Sequence, residues 1–109
     1  MIIKIKPLSV NQAWMGRKFK TPKYKAYEKT VLLMLKPLKI PPSPLKLVIT
    51  FGFSNAQSDW DNPIKPFQDI LQKKYGFNDC DIYEATVKKV IVKKGFEFID
   101  FEIYSIKET

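Results

Sequence analysis

Apolar and polar positions along the chain divide it into six regular segments. Ile2 to Lys6 mixes isoleucine with lysine and reads as a short strand with one wet face, ended by Pro7. Ser9 to Pro22 is polar, basic and aromatic without clear periodicity, which predicts a loop. From Lys23 to Leu35, Tyr24, Tyr27, Val31, Met34 and Leu35 recur at helical spacing, with Thr21 placed to cap the helix and Pro22 in its first turn. The proline-rich run Pro37 to Pro44 is a stiff connector. Leu45 to Phe53 is β-branched and aromatic, and reads as a central strand. A second helix is expected from about Pro63 to Tyr75. Asn62 is its candidate cap, Ile64, Phe67, Leu71 and Tyr75 form its buried face, and Gly76 is its stop. Ile82 to Val92 and Phe96 to Ile106 flank Lys93-Lys94-Gly95 and predict a hairpin. The expected fold is α+β, one domain over residues 1–109. It is a mixed sheet carrying two helices, in the order β-α-β-α-β-β.

Composition narrows the chemistry. The chain has 109 residues, 45% of them hydrophobic, enough for one modest core. Histidine is absent, which removes Ser-His-Asp triads, Cys-His nucleophiles and His-ligated zinc. One cysteine, Cys80, allows neither an internal disulfide nor a cysteine-based zinc site. Any catalysis must therefore run on carboxylates, lysine and a hard cation. No apolar run is long enough to cross a bilayer, and the first ten residues do not resemble a signal peptide, so a cytoplasmic protein without a membrane partner is expected.

Charge is unevenly distributed. Met1 to Ser58 holds 11 Lys and Arg residues against the single acid Glu28, whereas Asp59 to Thr109 holds 8 lysines against 10 acids. A basic first half suits a polyanion partner; the alternative is a lysine-rich solvated surface. Arg17, Lys18, Lys20, Lys23 and Lys25 cluster between Trp14 and Tyr27 and are the candidate phosphate contacts. Trp14 and Phe19 are candidates for stacking on an unpaired base, with core packing the competing role for Trp14.

Five acids gather between Asp59 and Asp81 in this basic protein. Asp59 and Asp61 flank Trp60. In an extended segment, carboxylates two residues apart share a side and repel unless a cation or a proton intervenes. Mg²⁺, ligated by oxygen, resolves that repulsion. A capping role for Asp61 or Asn62 is the alternative. Lys65 follows Asp61 by four residues and can approach the pair, and Asp69 one turn later can orient Lys65. In Asn78-Asp79-Cys80-Asp81, either aspartate can be aimed from a turn at a neighbouring site, or can simply serve the turn.

These residues resemble the RusA family of Holliday junction resolvases. The family pattern D-x-D-N-x-x-K-x-x-x-D is met by Asp59, Asp61, Asn62, Lys65 and Asp69. Asn78-Asp79 stands where the family has its second acidic pair, with Ile82 in register behind it. Ser9, Asn11 and Trp14 resemble the family's S-x-N-plus-aromatic segment. The resemblance implies a homodimeric endodeoxyribonuclease with two active sites, acting on four-way junction DNA without an organic cofactor. It implies Mg²⁺, or Mn²⁺, held by Asp59, Asp61 and Asp79, with Lys65 catalytic, Asp69, Asn62 and Asn78 supporting it, and Asn11 on the DNA side. A metal nuclease for other branched DNA and a non-catalytic nucleic-acid-binding protein are the competing expectations.

Overall fold

Leu45, Leu47, Ile49, Phe51 and Phe53 are all buried, and the strand that carries them is the spine of the molecule. The computed structural model describes residues 1–15 and 19–106, with backbone alone at Trp14 and Met15. In chain order the elements are β1 (Ile2–Ile3), α1 (Val10–Ala13), β2 (Trp14–Met15), β3 (Phe19–Lys20), α2 (Pro22–Met34), β4 (Leu45–Phe53), α3 (Ile64–Tyr75), a 3-10 turn (Asp79–Asp81), β5 (Ile82–Ile91) and β6 (Phe98–Ser105). The main sheet has the order β1-β6-β4-β5. β4 runs parallel to β5 and antiparallel to β6, which is antiparallel to β1. The fold is thus α+β, with a mixed sheet and the expected order of main elements.

α2 and α3 cover one face of this sheet. Tyr24, Tyr27 and Val31 of α2 and Pro66, Phe67, Ile70 and Leu71 of α3 are buried. The Phe67 ring meets Phe101 and Phe51 edge-on, at centroid distances of 5.5 and 6.2 Å. The expected α3 face was Ile64, Phe67, Leu71 and Tyr75; Phe67 and Leu71 lie at its centre, while Ile64 and Tyr75 are partly buried at its margins. Thr21 caps α2 by accepting from the Tyr24 amide at 3.0 Å. Gly76 ends α3 at φ +77°, a left-handed conformation that favours glycine. On β4, Gly52 lies opposite Phe98 of β6, and a Cβ there would come within 2.4 Å of the ring carbons.

Three expectations are corrected. β5 and β6 do not form a hairpin. They lie on opposite edges of β4, and the connection between them crosses its end. The physical reason is burial. β6 offers Ile99 and Phe101 to the core, whereas β5 is rich in polar residues and costs least at the rim. Within the segment read as a loop, α1 forms a single helical turn, and β2 and β3 pair as a short ribbon. Elements of two to four residues leave no periodic signal to read. Asn62 does not cap α3: Pro63 holds that position without a side-chain bond, and the Asn62 amide turns to Asp59 instead.

Glu28 ties the helical layer together. Its carboxylate accepts from Lys20 and from Lys73, each at 2.9 Å. Burial pushes this carboxyl up, and the two ammonium groups more than reverse it, holding it below its usual range. A depressed acid contributes stability above its unfolded-state pKa and loses it as pH falls through the folded value. Glu28→Gln is expected to cost about 1 kcal/mol at pH 7. The cost should shrink below the usual carboxylate range, as urea unfolding of both proteins at neutral and acid pH would read.

Candidate functional site

The C-terminal end of β4 opens into a polar pocket of about 370 Å³. Phe53 to Asn55, Gln57, Ser58, Asp59, Asn62 and Pro63 form one wall, and Lys6, Pro7, Ser9, Asn11 and Gln12 form the other. The walls are joined by the backbone: the Val10 amide donates to the Asn62 carbonyl at 2.8 Å. Ser9-Val10-Asn11 and Asp59-Trp60-Asp61-Asn62, far apart in the chain, therefore meet at one place.

Within the site, Asn62 Nδ2 donates to Asp59 Oδ2 at 3.2 Å, which fixes that carboxylate against the start of α3. The segment from Ser58 to Pro63 bends and turns rather than running as an extended strand, so Asp59 lines the pocket while Asp61 is not part of its lining. The Asp61 carbonyl accepts from the Ile64 amide at 3.2 Å, leading the chain into α3. The positive end of that helix favours negative charge here. Lys65 and Asp69 form the expected pair along α3, at 2.9 Å. Trp60 is exposed between the two aspartates.

Asp79 stands elsewhere. The parallel register sets Leu45 beside Ile82 and Phe53 beside Ile91. The turn before β5 therefore lies at the N-terminal end of β4, and the pocket at its C-terminal end. The 12 residues of α3 separate the two, a span of roughly 18 Å. Asp81 serves its own turn, accepting from the Asn78 amide at 3.1 Å and from Ser43 Oγ at 3.3 Å. Asn78 opens this turn as its cap. Among the described residues, no three acidic or cysteine side chains are grouped as a metal cage.

Of the basic cluster, Lys23 and Lys25 are exposed on the first turn of α2. Lys20 is bound to Glu28 and sits 5.1 Å from the Tyr24 ring centre, so its charge is already engaged. Arg17 and Lys18 lie outside the described residues, as does the side chain of Trp14. Phe19 on β3 is 69% exposed and open to stacking.

Lys89 has a role that sequence reasoning missed. From β5 its ammonium donates to the Ala56 carbonyl at 2.7 Å and to the Ser58 carbonyl. It thereby pins the loop that delivers Asp59. Nothing in the Lys88-Lys89 pair distinguishes it from a surface lysine, because its partners are main-chain atoms brought there by the β4–β5 register. Lys89→Met is expected to speed amide exchange of residues 54–61 about tenfold, with the β4 and β6 amides unchanged. Ser54, which lines the pocket, donates to Glu97 at 2.8 Å. The Glu97 amide, that hydroxyl and the Gly95 amide hold its carboxyl below the usual range.

No protein-family model matches the chain, and no curated protein matches it in sequence. Among the described residues, no helix is long and apolar enough to cross a membrane.

Proposed function

We propose that this protein is a Mg²⁺-dependent, structure-specific endodeoxyribonuclease that resolves four-way DNA junctions as a homodimer in the cytoplasm. The observation that carries this reading is the meeting of Ser9–Asn11 with Asp59–Asn62 around one polar pocket in a strongly basic protein. Asp59 and Asp61 offer oxygen donors only, in a chain without histidine, which suits Mg²⁺ or Mn²⁺. One chain brings two of the three aspartates to this end of the sheet, and Asp79 is not among them.

A divalent ion there would polarise the phosphate and acidify a water molecule. The side chains do the rest. Asn62 holds the Asp59 carboxylate in place. Lys65 stabilises negative charge developing on the phosphate or the leaving oxygen, and Asp69 positions its ammonium. Lys23 and Lys25 bind backbone phosphates, with a salt-sensitive and sequence-blind affinity. Phe19 is placed to stack on an unpaired base.

The deciding experiment is cleavage of a labelled four-way junction beside linear duplex and flap controls, with Mg²⁺ and with chelator. Paired nicks on the junction alone, lost with chelator, support the reading. Equal cutting of flaps would replace junction resolution by a broader branched-DNA activity. The separation of Asp79 from Asp59 favours a second reading, a non-catalytic nucleic-acid-binding protein; metal-independent binding without cleavage would be its signature.

A further inference from the structure

The pocket at the C-terminal end of β4 is roomier than a pair of aspartates requires. Its volume of about 370 Å³ is that of a small-molecule site, a class spanning about 300–1,000 Å³. Pro7, Phe53 and Pro63 are buried and give it an apolar floor. Its lining holds one cation, Lys6, and one anion, Asp59, so the charges cancel and no surplus of positive charge draws a phosphate inside. What the walls offer instead is neutral carboxamides.

Three of these carboxamides are uncommitted. Asn62 is bonded to Asp59, and Asn55 Oδ1 accepts from the Gln57 backbone amide at 2.8 Å. The side chains of Asn11, Gln12 and Gln57 are exposed and make no hydrogen bond to another described residue. Their backbones, by contrast, are fixed. The Asn11 amide donates to Ser9 Oγ at 3.2 Å, and the Gln12 carbonyl accepts from the Thr21 hydroxyl at 2.6 Å. Gln57 lies between the two carbonyls, of Ala56 and Ser58, that Lys89 holds. A free carboxamide on a fixed backbone meets a ligand with little ordering left to do.

A carboxamide carries a donor and an acceptor side by side. Among the parts of a DNA strand, only a base has an edge that matches this and flat apolar faces to lie on such a floor. Adenine matches it with N6 and N7. Extruding a base costs least where its stack is already broken, as at a branch point. Asp59 lines the pocket while Asp61 stands outside the lining, so a phosphate beside these two residues sits at the mouth with its neighbouring base facing in. We infer that the pocket receives one extruded base beside the phosphate to be cut, that Asn11, Gln12 and Gln57 read its edge, and that adenine is preferred. The position of the cut rests on the nuclease reading above; capture of the base does not.

Capture is tested first, without any activity, on a four-way junction with adenine–thymine pairs at the branch. Chelator keeps the junction whole, and permanganate reports the thymine left behind when its adenine leaves the stack. The native chain should raise the reactivity of one such thymine in each half of the junction about fivefold or more. The double variant Gln12→Ala, Gln57→Ala should abolish that rise. Its affinity for linear duplex should stay within about twofold, since a duplex offers phosphates but no extruded base. A junction bound with no rise, or a rise undiminished in the double variant, overturns the capture. Reading is tested with Mg²⁺. Junctions with adenine at that position should be cut about tenfold faster than those with the other three bases, and the double variant should discriminate by less than about twofold. Equal native rates for all four bases, or a preference intact in the double variant, overturns the reading role. A native chain that binds and extrudes the base but cuts nothing ends the nuclease reading and leaves the base pocket standing. One that binds no junction ends both.

Discussion

Asp61→Asn is expected to lower junction cleavage at least about a hundredfold while leaving DNA affinity equal or higher. The side chain is exposed and the backbone carbonyl does its structural work, accepting from the Ile64 amide. Asparagine preserves shape and removes one negative charge. The fold should therefore be untouched, and the phosphate should meet less repulsion. Chelator should reduce the native chain to the level of the variant and change the variant little. Single-turnover cleavage beside a binding titration separates the two effects. Native-rate cutting by Asp61→Asn would remove Asp61 from the site.

The largest effect on stability is expected at Phe67. It is fully buried, and its ring joins α3 to Phe51 of β4 and Phe101 of β6. Phe67→Ala removes both edge-on ring contacts and leaves a cavity between helix and sheet, at a cost of about 3–5 kcal/mol. Domains of this size are stable by roughly 5–15 kcal/mol, so the variant should be marginal or unfolded at 37 °C. Denaturant unfolding followed by far-UV circular dichroism would measure it. A loss below about 1 kcal/mol would mean that the neighbours close over the gap.

Local signals carried most of the fold. Thr21, Pro22 and the Tyr24-Tyr27-Val31 spacing announce α2, Gly76 announces the end of α3, and the apolar run Leu45–Phe53 announces the central strand. Strand pairing was not legible, because two consecutive strands around Lys93-Lys94-Gly95 look like a hairpin whether or not they touch. What decides is which of them the core needs more, and Ile99 and Phe101 take β6 inside. The site divides in the same way. The spacing Asp59, Asp61, Asn62, Lys65 and Asp69 is local and survives in the Asn62–Asp59 and Lys65–Asp69 contacts. The distance from Asp59 to Asp79 depends on the direction of β5, which spacing along the chain does not encode. Lys89 was invisible for the same reason.

The position of β6 has a consequence for how the chain folds. β6 follows every other element of the main sheet in sequence, yet it occupies an interior slot, with β1 on one side and β4 on the other. Until it leaves the ribosome, β4 keeps an open edge flanked by Leu47, Ile49 and Phe51, and β1 has nothing to pair with. Closing that slot joins residues from the two extremes of the domain, a contact whose loop-closure entropy must be met in one late step. Folding should therefore be slow and nearly all-or-none. Nascent chains arrested before Phe98 should be sticky and protease-sensitive, and recombinant yield should rise when synthesis is slowed by cooling.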